Sequence, residues 1–241
     1  MFRPIYEPRT RAKEYCDLAI NIYTGCNHGC VYCYAPRVLR KTKEQFMQVE
    51  PRKDIVEAVK QQLSRENYEG KKIMLSFTCD PYPADIDTAP TREIIKAIKA
   101  VGAHVQVLTK GGFRAERDFD LLDSEDSFGV TISGNRDISN VNEPNAANVT
   151  DRLRTLIIVH EKGIKTWVSC EPVFDVEQIY DLIVCVDFID LYKIGKLNYM
   201  PSDINWGKFG CECERLCKEY GRNYYLKEDL RAEMSKVTAH A

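Results

Sequence analysis

A parallel α/β sheet built from βα units, curling part of the way into a TIM-type barrel, is the fold this 241-residue sequence predicts. Two observations carry that expectation. Runs rich in apolar and β-branched residues alternate with stretches of helical period, as strands joined by crossover helices do. Glycines such as Gly70, Gly102 and Gly163 stand where several of those helical stretches end. The length agrees, since one core of this kind fits without a second domain.

The first strand is expected near 18-24, leading into a cysteine-bearing loop. A helix over 52-67 sets Ile55, Val56, Val59 and Leu63 on one face, and one over 91-101 does the same with Ile94, Ile95, Ile98 and Val101. Further helices are read at 115-123, 148-162 and 175-184, and strands near 72-77, 105-109, 128-133, 164-170 and 188-194. Six βα units result, a partial (βα)6 barrel whose core covers about 18-200. Residues 201-241 form a C-terminal helical extension, in which Trp206, Phe209, Cys213, Leu216, Cys217 and Tyr220 share one stripe after an N-cap at Ser202. No repeat, low-complexity tract or linker divides the chain, so 1-241 reads as a single domain.

The charge is uneven. Residues 1-53 hold ten basic and five acidic side chains, net +5, which leaves -7 for the remainder of a chain of net charge -2. Arg3, Arg9, Arg11 and Lys13 precede the cysteine loop and Arg37, Arg40, Lys41, Lys43, Arg52 and Lys53 follow it. Such a surround suits either a phosphate-bearing substrate or plain solvated surface. No apolar run approaches the roughly 18 residues of a membrane helix, and no hydrophobic leader opens the chain, so a cytoplasmic protein without a membrane partner is expected.

The chemistry concentrates in Tyr23-Thr24-Gly25-Cys26-Asn27-His28-Gly29-Cys30-Val31-Tyr32-Cys33-Tyr34. Three thiolates at C-x3-C-x2-C spacing leave one position of a 4Fe-4S cube open to a ligand, whereas a simple electron carrier uses four. The bland alternative is tetrahedral zinc on Cys26, Cys30, Cys33 and His28, but zinc sites usually draw ligand pairs from two separate segments. Ten cysteines in a chain of this length fall short of a disulfide scaffold. Cys213 and Cys217 read as core residues on a packing helix, Cys211 lies off their stripe, and a second cluster from these three is the weaker reading. Cys16 and Cys185 read as buried thiols, while Cys170 stays ambiguous at its strand end.

Ligands of parallel sheets sit at the carboxyl ends of the strands, where the cysteine loop also lies. The other strand ends carry Cys79 and Asp80, then Lys110, Ser133, Glu171 and Lys193. Each has an ordinary explanation in turn or cap chemistry. Together they make a polar ring of two lysines and two carboxylates. Cys79 and Lys193 are the candidate catalytic groups.

The cysteine spacing, with an aromatic residue just before the last cysteine, resembles the signature of the radical S-adenosylmethionine (SAM) superfamily. Asp80-Pro81-Tyr82, Thr109-Lys110, Ser133 with Glu143-Pro144 and Arg152-Leu153, and Tyr224-Tyr225-Leu226-Lys227-Glu228 narrow the resemblance to its spore photoproduct lyase and DNA repair photolyase-like group, over about 18-230. The resemblance implies a 4Fe-4S cluster on Cys26, Cys30 and Cys33, and SAM bound at its open iron. It also implies an external one-electron reductant of flavodoxin or ferredoxin type, and reductive cleavage of SAM to a 5'-deoxyadenosyl radical that takes hydrogen from substrate. By the same likeness Tyr32 and Tyr34 border SAM and Lys110 and Ser133 contact it. Asp80 and Glu171 complete a ring complementary to its carboxylate, ribose and sulfonium.

The family's Cys-x-Ser-Asp pattern becomes Phe77-Thr78-Cys79-Asp80 here, with Phe77 in place of the hydrogen-donating cysteine. On a strand of period two, Phe77 and Cys79 would share a face, which leaves Cys79 either a displaced donor or a packed thiol. The expected activity is hydrogen abstraction from a nucleic-acid base or nucleotide, as a lyase or in rearrangement of modified thymine. Modification of a peptide or small metabolite is the alternative enzyme class, and a non-enzymatic iron-sulfur or zinc module a third.

Overall fold

The computed structural model describes residues 3–238; residues 1-2 and 239-241 of the expected domain lie outside the described residues. Seven parallel strands run β1 Leu18–Ile20, β2 Lys72–Leu75, β3 His104–Thr109, β4 Ser127–Thr131, β5 Lys165–Cys170, β6 Leu191–Ile194 and β7 Tyr224–Leu226. They pair in strict sequence order, and among the described residues β7 does not pair with β1, so the barrel stays open. The parallel α/β expectation and the six strands it named hold.

The seventh strand is the correction. Residues 201-241 are not purely helical, because Tyr224, Tyr225 and Leu226 pair with Tyr192, Lys193 and Ile194. Three residues flanked by Arg222-Asn223 and Lys227-Glu228 show no period-two signal, whereas the equally short β1 lies in the longer run 18-24.

Nine helices stand among the described residues. These are α1 Ala35–Val38, α2 Lys43–Met47, α3 Ile55–Arg65, α4 Ala89–Ala100, α5 Arg136–Asn142, α6 Val149–Glu161, α7 Val176–Cys185, α8 Trp206–Glu219 and α9 Glu228–Thr238. The expected helix at 115-123 is instead a 3-10 stretch, Gly112–Leu121. The N-cap of α8 is Asn205, whose carbonyl oxygen accepts from Lys208 N, rather than Ser202. Phe209, Cys213, Leu216 and Cys217 are buried as the stripe implies, but Tyr220 is exposed. Cys185 is exposed and Cys16 half-buried, against the expectation for both.

Strand alternation sorts the side chains. Ile20, Leu75, Val107, Phe128, Val130, Val168, Cys170, Tyr192 and Ile194 face the helices and form the main core. Ala19, Met74 and Trp167 face the concave side, with Tyr6, Tyr15, Phe77 and Leu108 packed around them. Trp167 fits because β4 carries Gly129 opposite it, where an added Cβ would fall 2.3 Å from the indole. Cys170 therefore belongs to the helix-facing core, which resolves its ambiguity.

Candidate active site at the open mouth of the barrel

The loop after β1 is held in place by backbone contacts that its sequence permits. Cys26 N donates to Phe46 O at 2.9 Å, and an added Cβ on Gly25 would meet that carbonyl at 2.0 Å, so only glycine fits. The Asn27 amide exchanges two hydrogen bonds with the Ala84 backbone, at 2.6 and 2.9 Å, fixing the loop to the segment after β2. Asn145 adds bonds to the carbonyls of Asn27 and His28.

A cavity of about 370 Å³ opens beside the loop, within the usual range for a small-molecule site. Cys26, Cys30 and Cys33 line it together with Tyr32, Tyr34, Cys79, Asp80, Lys110 and Glu171. Ser133 and Lys193, of the expected ring, do not.

Ser133 is fully buried and donates to Glu143 Oε1 at 3.1 Å, and Thr131 occupies the cavity wall beside it. Glu143 also accepts from the Tyr32 hydroxyl and pairs with Arg152 at 2.5 Å. Burial raises the Glu143 carboxyl, but Arg152 and Lys110 outweigh it and hold the group below its ordinary range. The Glu143–Arg152 pair thus aims Tyr32 from beneath. Sequence reasoning quoted both residues but gave neither a role, since nothing local shows that they meet.

Lys193 lies lower in the barrel. Its ammonium donates to the carbonyls of Glu14 and Tyr15 at 2.9 and 3.0 Å and sits 5.0 Å from the Tyr15 ring centroid. Burial lowers its pKa to about 8. A strand-end position cannot reveal that the N-terminal segment covers the residue.

Asp80 anchors the cluster-side wall. Its carboxylate accepts from Thr109 Oγ1 at 2.6 Å and from the amides of Tyr82 and Lys110 at 2.8 Å each. Burial alone would raise it, but His28 and these donors keep it low. His28 stands 3.5 Å from the carboxylate and 3.2 Å from Arg114, and burial pushes it down to about 4, so it is a neutral imidazole and the three donors hold Asp80 at neutral pH.

Cys79 is reached differently from the expected strand alternation. β2 ends at Leu75, so Phe77 and Cys79 lie on a turn rather than one strand face. Phe77 packs edge-on against Tyr15 with centroids 6.0 Å apart, while the Cys79 sulfur accepts from Tyr23 N at 3.4 Å. Both still reach the cavity, and burial raises the Cys79 pKa.

On the far wall Glu171 accepts from Lys227 at 2.7 Å, Tyr15 at 2.8 Å and Asn198 at 3.3 Å. The Lys227 ammonium lies 4.3 Å from the Tyr15 ring centroid. Lys227 and Tyr15 were missed as site residues; a lysine ending the apolar run 224-226 was the available signal.

Zinc and a cluster place different demands on this loop. Tetrahedral zinc with bonds of about 2.3 Å draws its sulfurs to within about 4 Å of one another. Among the described residues only His104, Asp123 and Asp126 bring three such ligand atoms within 4.8 Å, so the cysteines and His28 do not converge as zinc requires. All four line the cavity. Around it are groups that want a ligand: the Thr78 hydroxyl has no hydrogen-bond partner among the described residues, and the Ser76 hydroxyl meets only the Cys79 thiol. The Lys110 ammonium makes no hydrogen bond among the described residues and lies 5.6 Å from the Tyr32 ring centroid. Burial raises the thiols of Cys26, Cys30 (to about 11) and Cys33, while Lys110 pulls Cys30 and Cys33, and Lys43 pulls Cys33, the other way. The donor set suits thiolate ligation coupled to proton release, with an anionic partner for Lys110.

The chain is 28% identical over 187 residues to an uncharacterized protein of Methanocaldococcus jannaschii, covering 73% of this chain and 68% of that one. It is 27% identical over 170 residues to an uncharacterized protein of Acidianus two-tailed virus, spanning 65% of this chain and 56% of the relative. Among solved structures, spore photoproduct lyase complexed with dinucleoside spore photoproduct superposes with TM-score 0.69 at 16% identity, covering 91% of this chain and 78% of that one. Streptococcus suis SuiB bound to S-adenosylmethionine gives 0.64 at 12%, covering 87% and 50%. These identities speak to the fold alone. The family model "Radical SAM superfamily" matches residues 20–182, two thirds of the chain, and that family implies a 4Fe-4S cluster, SAM and an external electron donor. With its three cysteines on one cavity at the strand ends, the chain belongs to the radical SAM superfamily.

Proposed function

We propose that this chain, acting as one domain over 1-241, abstracts hydrogen from a nucleic-acid base or nucleotide, as a lyase on a photoproduct or in rearrangement of a modified thymine. The bound cluster and SAM supply the one-electron chemistry and the 5'-deoxyadenosyl radical. The protein supplies position and exclusion of water. Cys26, Cys30 and Cys33 hold the cluster, and Lys110 presents an unpaired ammonium to the SAM carboxylate. Tyr32 and Tyr34 border the cofactor, Tyr34 oriented by donating to Phe77 O at 2.9 Å. Ser133 acts through Glu143 on Tyr32, and Asp80 shapes the wall that carries Lys110. Glu171 closes the opposite wall with Lys227.

One observation carries the substrate assignment. At the cavity mouth the Arg11 guanidinium, which also faces Asp229 at 3.5 Å, lies 5.6 Å from the ring centroid of Tyr199, a residue that is 71% exposed, and both line the cavity. A cation set on an open aromatic face suits a base that stacks and a phosphate that pairs. The fold shared with spore photoproduct lyase supports the same reading. Lys193, enclosed below Tyr15, acts as a positioning residue for the N-terminal segment. Cys79 remains the thiol that could return hydrogen to substrate.

The test is anaerobic SAM cleavage with thymidine-containing oligonucleotide, mononucleotide and peptide, read as 5'-deoxyadenosine release. Nucleic acid should accelerate release, less so at higher salt. Acceleration by peptide alone would select the alternative class. Cys79→Ala should keep the cluster but change turnover or products; wild-type kinetics and products would return Cys79 to packing.

A further inference from the structure

Of the basic groups around the cysteine loop, several are tied to the fold. Lys41 Nζ donates to Thr24 O at 2.7 Å, Arg52 Nε to Tyr23 O at 3.1 Å, and Arg3 pairs with Glu66 at 2.7 Å. Arg37, Arg40 and Lys43 are different. They make no side-chain hydrogen bond or ion pair among the described residues and point to solvent from the corner between α1 and α2.

That corner has the composition of a contact surface. Val38, at the rim of the cavity, is 62% exposed and Met47 is 42% exposed, two apolar side chains on the same short stretch as the free basic groups. Residues 35-47 carry four basic side chains and one acidic one, net +3. The two short helices are locally specified, α1 by Pro36 in its first turn and α2 by the reciprocal capping box of Thr42 and Gln45. Between them Arg40 holds φ +54°, a left-handed conformation that favours glycine. An arginine kept in such a conformation on an open corner argues for use of its side chain.

The position is the decisive part. Cys33 is followed directly by Tyr34, the N-cap of α1, so the corner grows out of the last cysteine of the loop. Arg37, Arg40 and Lys43 do not line the cavity, although Val38 between them reaches its rim; Arg11 and Tyr199 line it from other segments.

We infer that the α1–α2 corner is the docking surface for a small acidic one-electron carrier protein, which passes its electron to the cluster from the Cys33 side. The donor loses one electron and the cluster gains it, with no bond or proton changed. Apolar side chains beside free basic groups fit the small, transient interfaces of electron-transfer pairs, where the charges steer encounter. A phosphate backbone has no apolar face to cover Val38 and Met47. The inference rests on the cluster reading of the cysteine loop.

The test compares two reductants on the reconstituted protein, following cluster bleaching by anaerobic stopped-flow. Reduced flavodoxin is the protein probe and dithionite the small one. Arg37→Glu with Arg40→Glu should slow flavodoxin reduction at low salt at least about tenfold and flatten its salt dependence, leaving dithionite reduction unchanged. Arg40→Gly, which removes the charge and suits the left-handed φ, should slow the flavodoxin rate by about threefold, guarding against a misfolded double variant. A flavodoxin rate unchanged in both variants overturns the inference. So does loss of oligonucleotide binding with the flavodoxin rate intact, which would give the corner to nucleic acid. A wild-type protein that dithionite cannot bleach would defeat the cluster reading instead.

Discussion

The two walls of the cavity satisfy their polar groups in opposite ways. On the cluster side the Thr78 hydroxyl and the Lys110 ammonium have no hydrogen-bond partner among the described residues. Opposite, Glu171, Lys227, Tyr15 and Asn198 bond to one another and leave little to offer. Unpaired polar groups at a buried surface carry a cost that a bound ligand removes, whereas a closed network stiffens a wall and specifies its shape. On the proposed function, the first wall receives the cofactor and the second holds the mouth open at a fixed width.

Substitutions should separate the two. Beneath the cluster wall, Arg152→Met strands the buried Glu143 carboxylate and should cost about 3–5 kcal/mol of stability, read by urea unfolding. A loss under about 1 kcal/mol would mean that the pair does not support Tyr32 as described. On the far wall, Lys227→Met should cost about 2–3 kcal/mol, less because Glu171 keeps some contact with water, and should leave SAM affinity unchanged.

Lys110→Ala should do the reverse. Its ammonium makes no hydrogen bond among the described residues and acts on the fold only through its charge near Glu143, so stability should fall by less than SAM affinity of the reconstituted protein, which drops by about 1–3 kcal/mol in calorimetry. Unchanged affinity would remove Lys110 from the cofactor wall.

The smallest expected effect lies under the far wall and depends on pH. Lys193 titrates at about 8 when folded and at an ordinary lysine value when unfolded, so between these the unfolded chain binds more protons. Stability of wild type relative to Lys193→Met should rise with pH across that window, by at most about 1.4 kcal/mol per pH unit. A flat difference would mean that water reaches the ammonium past Tyr15.

Much of this was legible in the sequence, and the gaps have physical causes. The first six strands and the helix faces of α3 and α4 follow from local pattern, and the cysteine loop from spacing alone. β7 is no shorter than β1, but β1 sits in the longer run 18-24 that leads into the cysteine loop, whereas Tyr224–Leu226 stands isolated between polar residues. Lys193 was misplaced as a cavity residue because strand position fixes direction but not what covers a side chain, here the segment ending at Tyr15. The Glu143–Arg152 and Glu171–Lys227 pairs join residues distant in sequence, and Phe77 and Cys79 parted because β2 stops at Leu75, two residues short of the expected end.

The central claim is that the loop carries one cluster with an open iron rather than a closed metal site. Anaerobic reconstitution followed by iron and sulfide analysis tests it directly. About four of each per chain, lost together in Cys30→Ala, is the expected result. Stoichiometric zinc without sulfide would contradict it, and about eight of each would show that Cys211, Cys213 and Cys217 ligate after all.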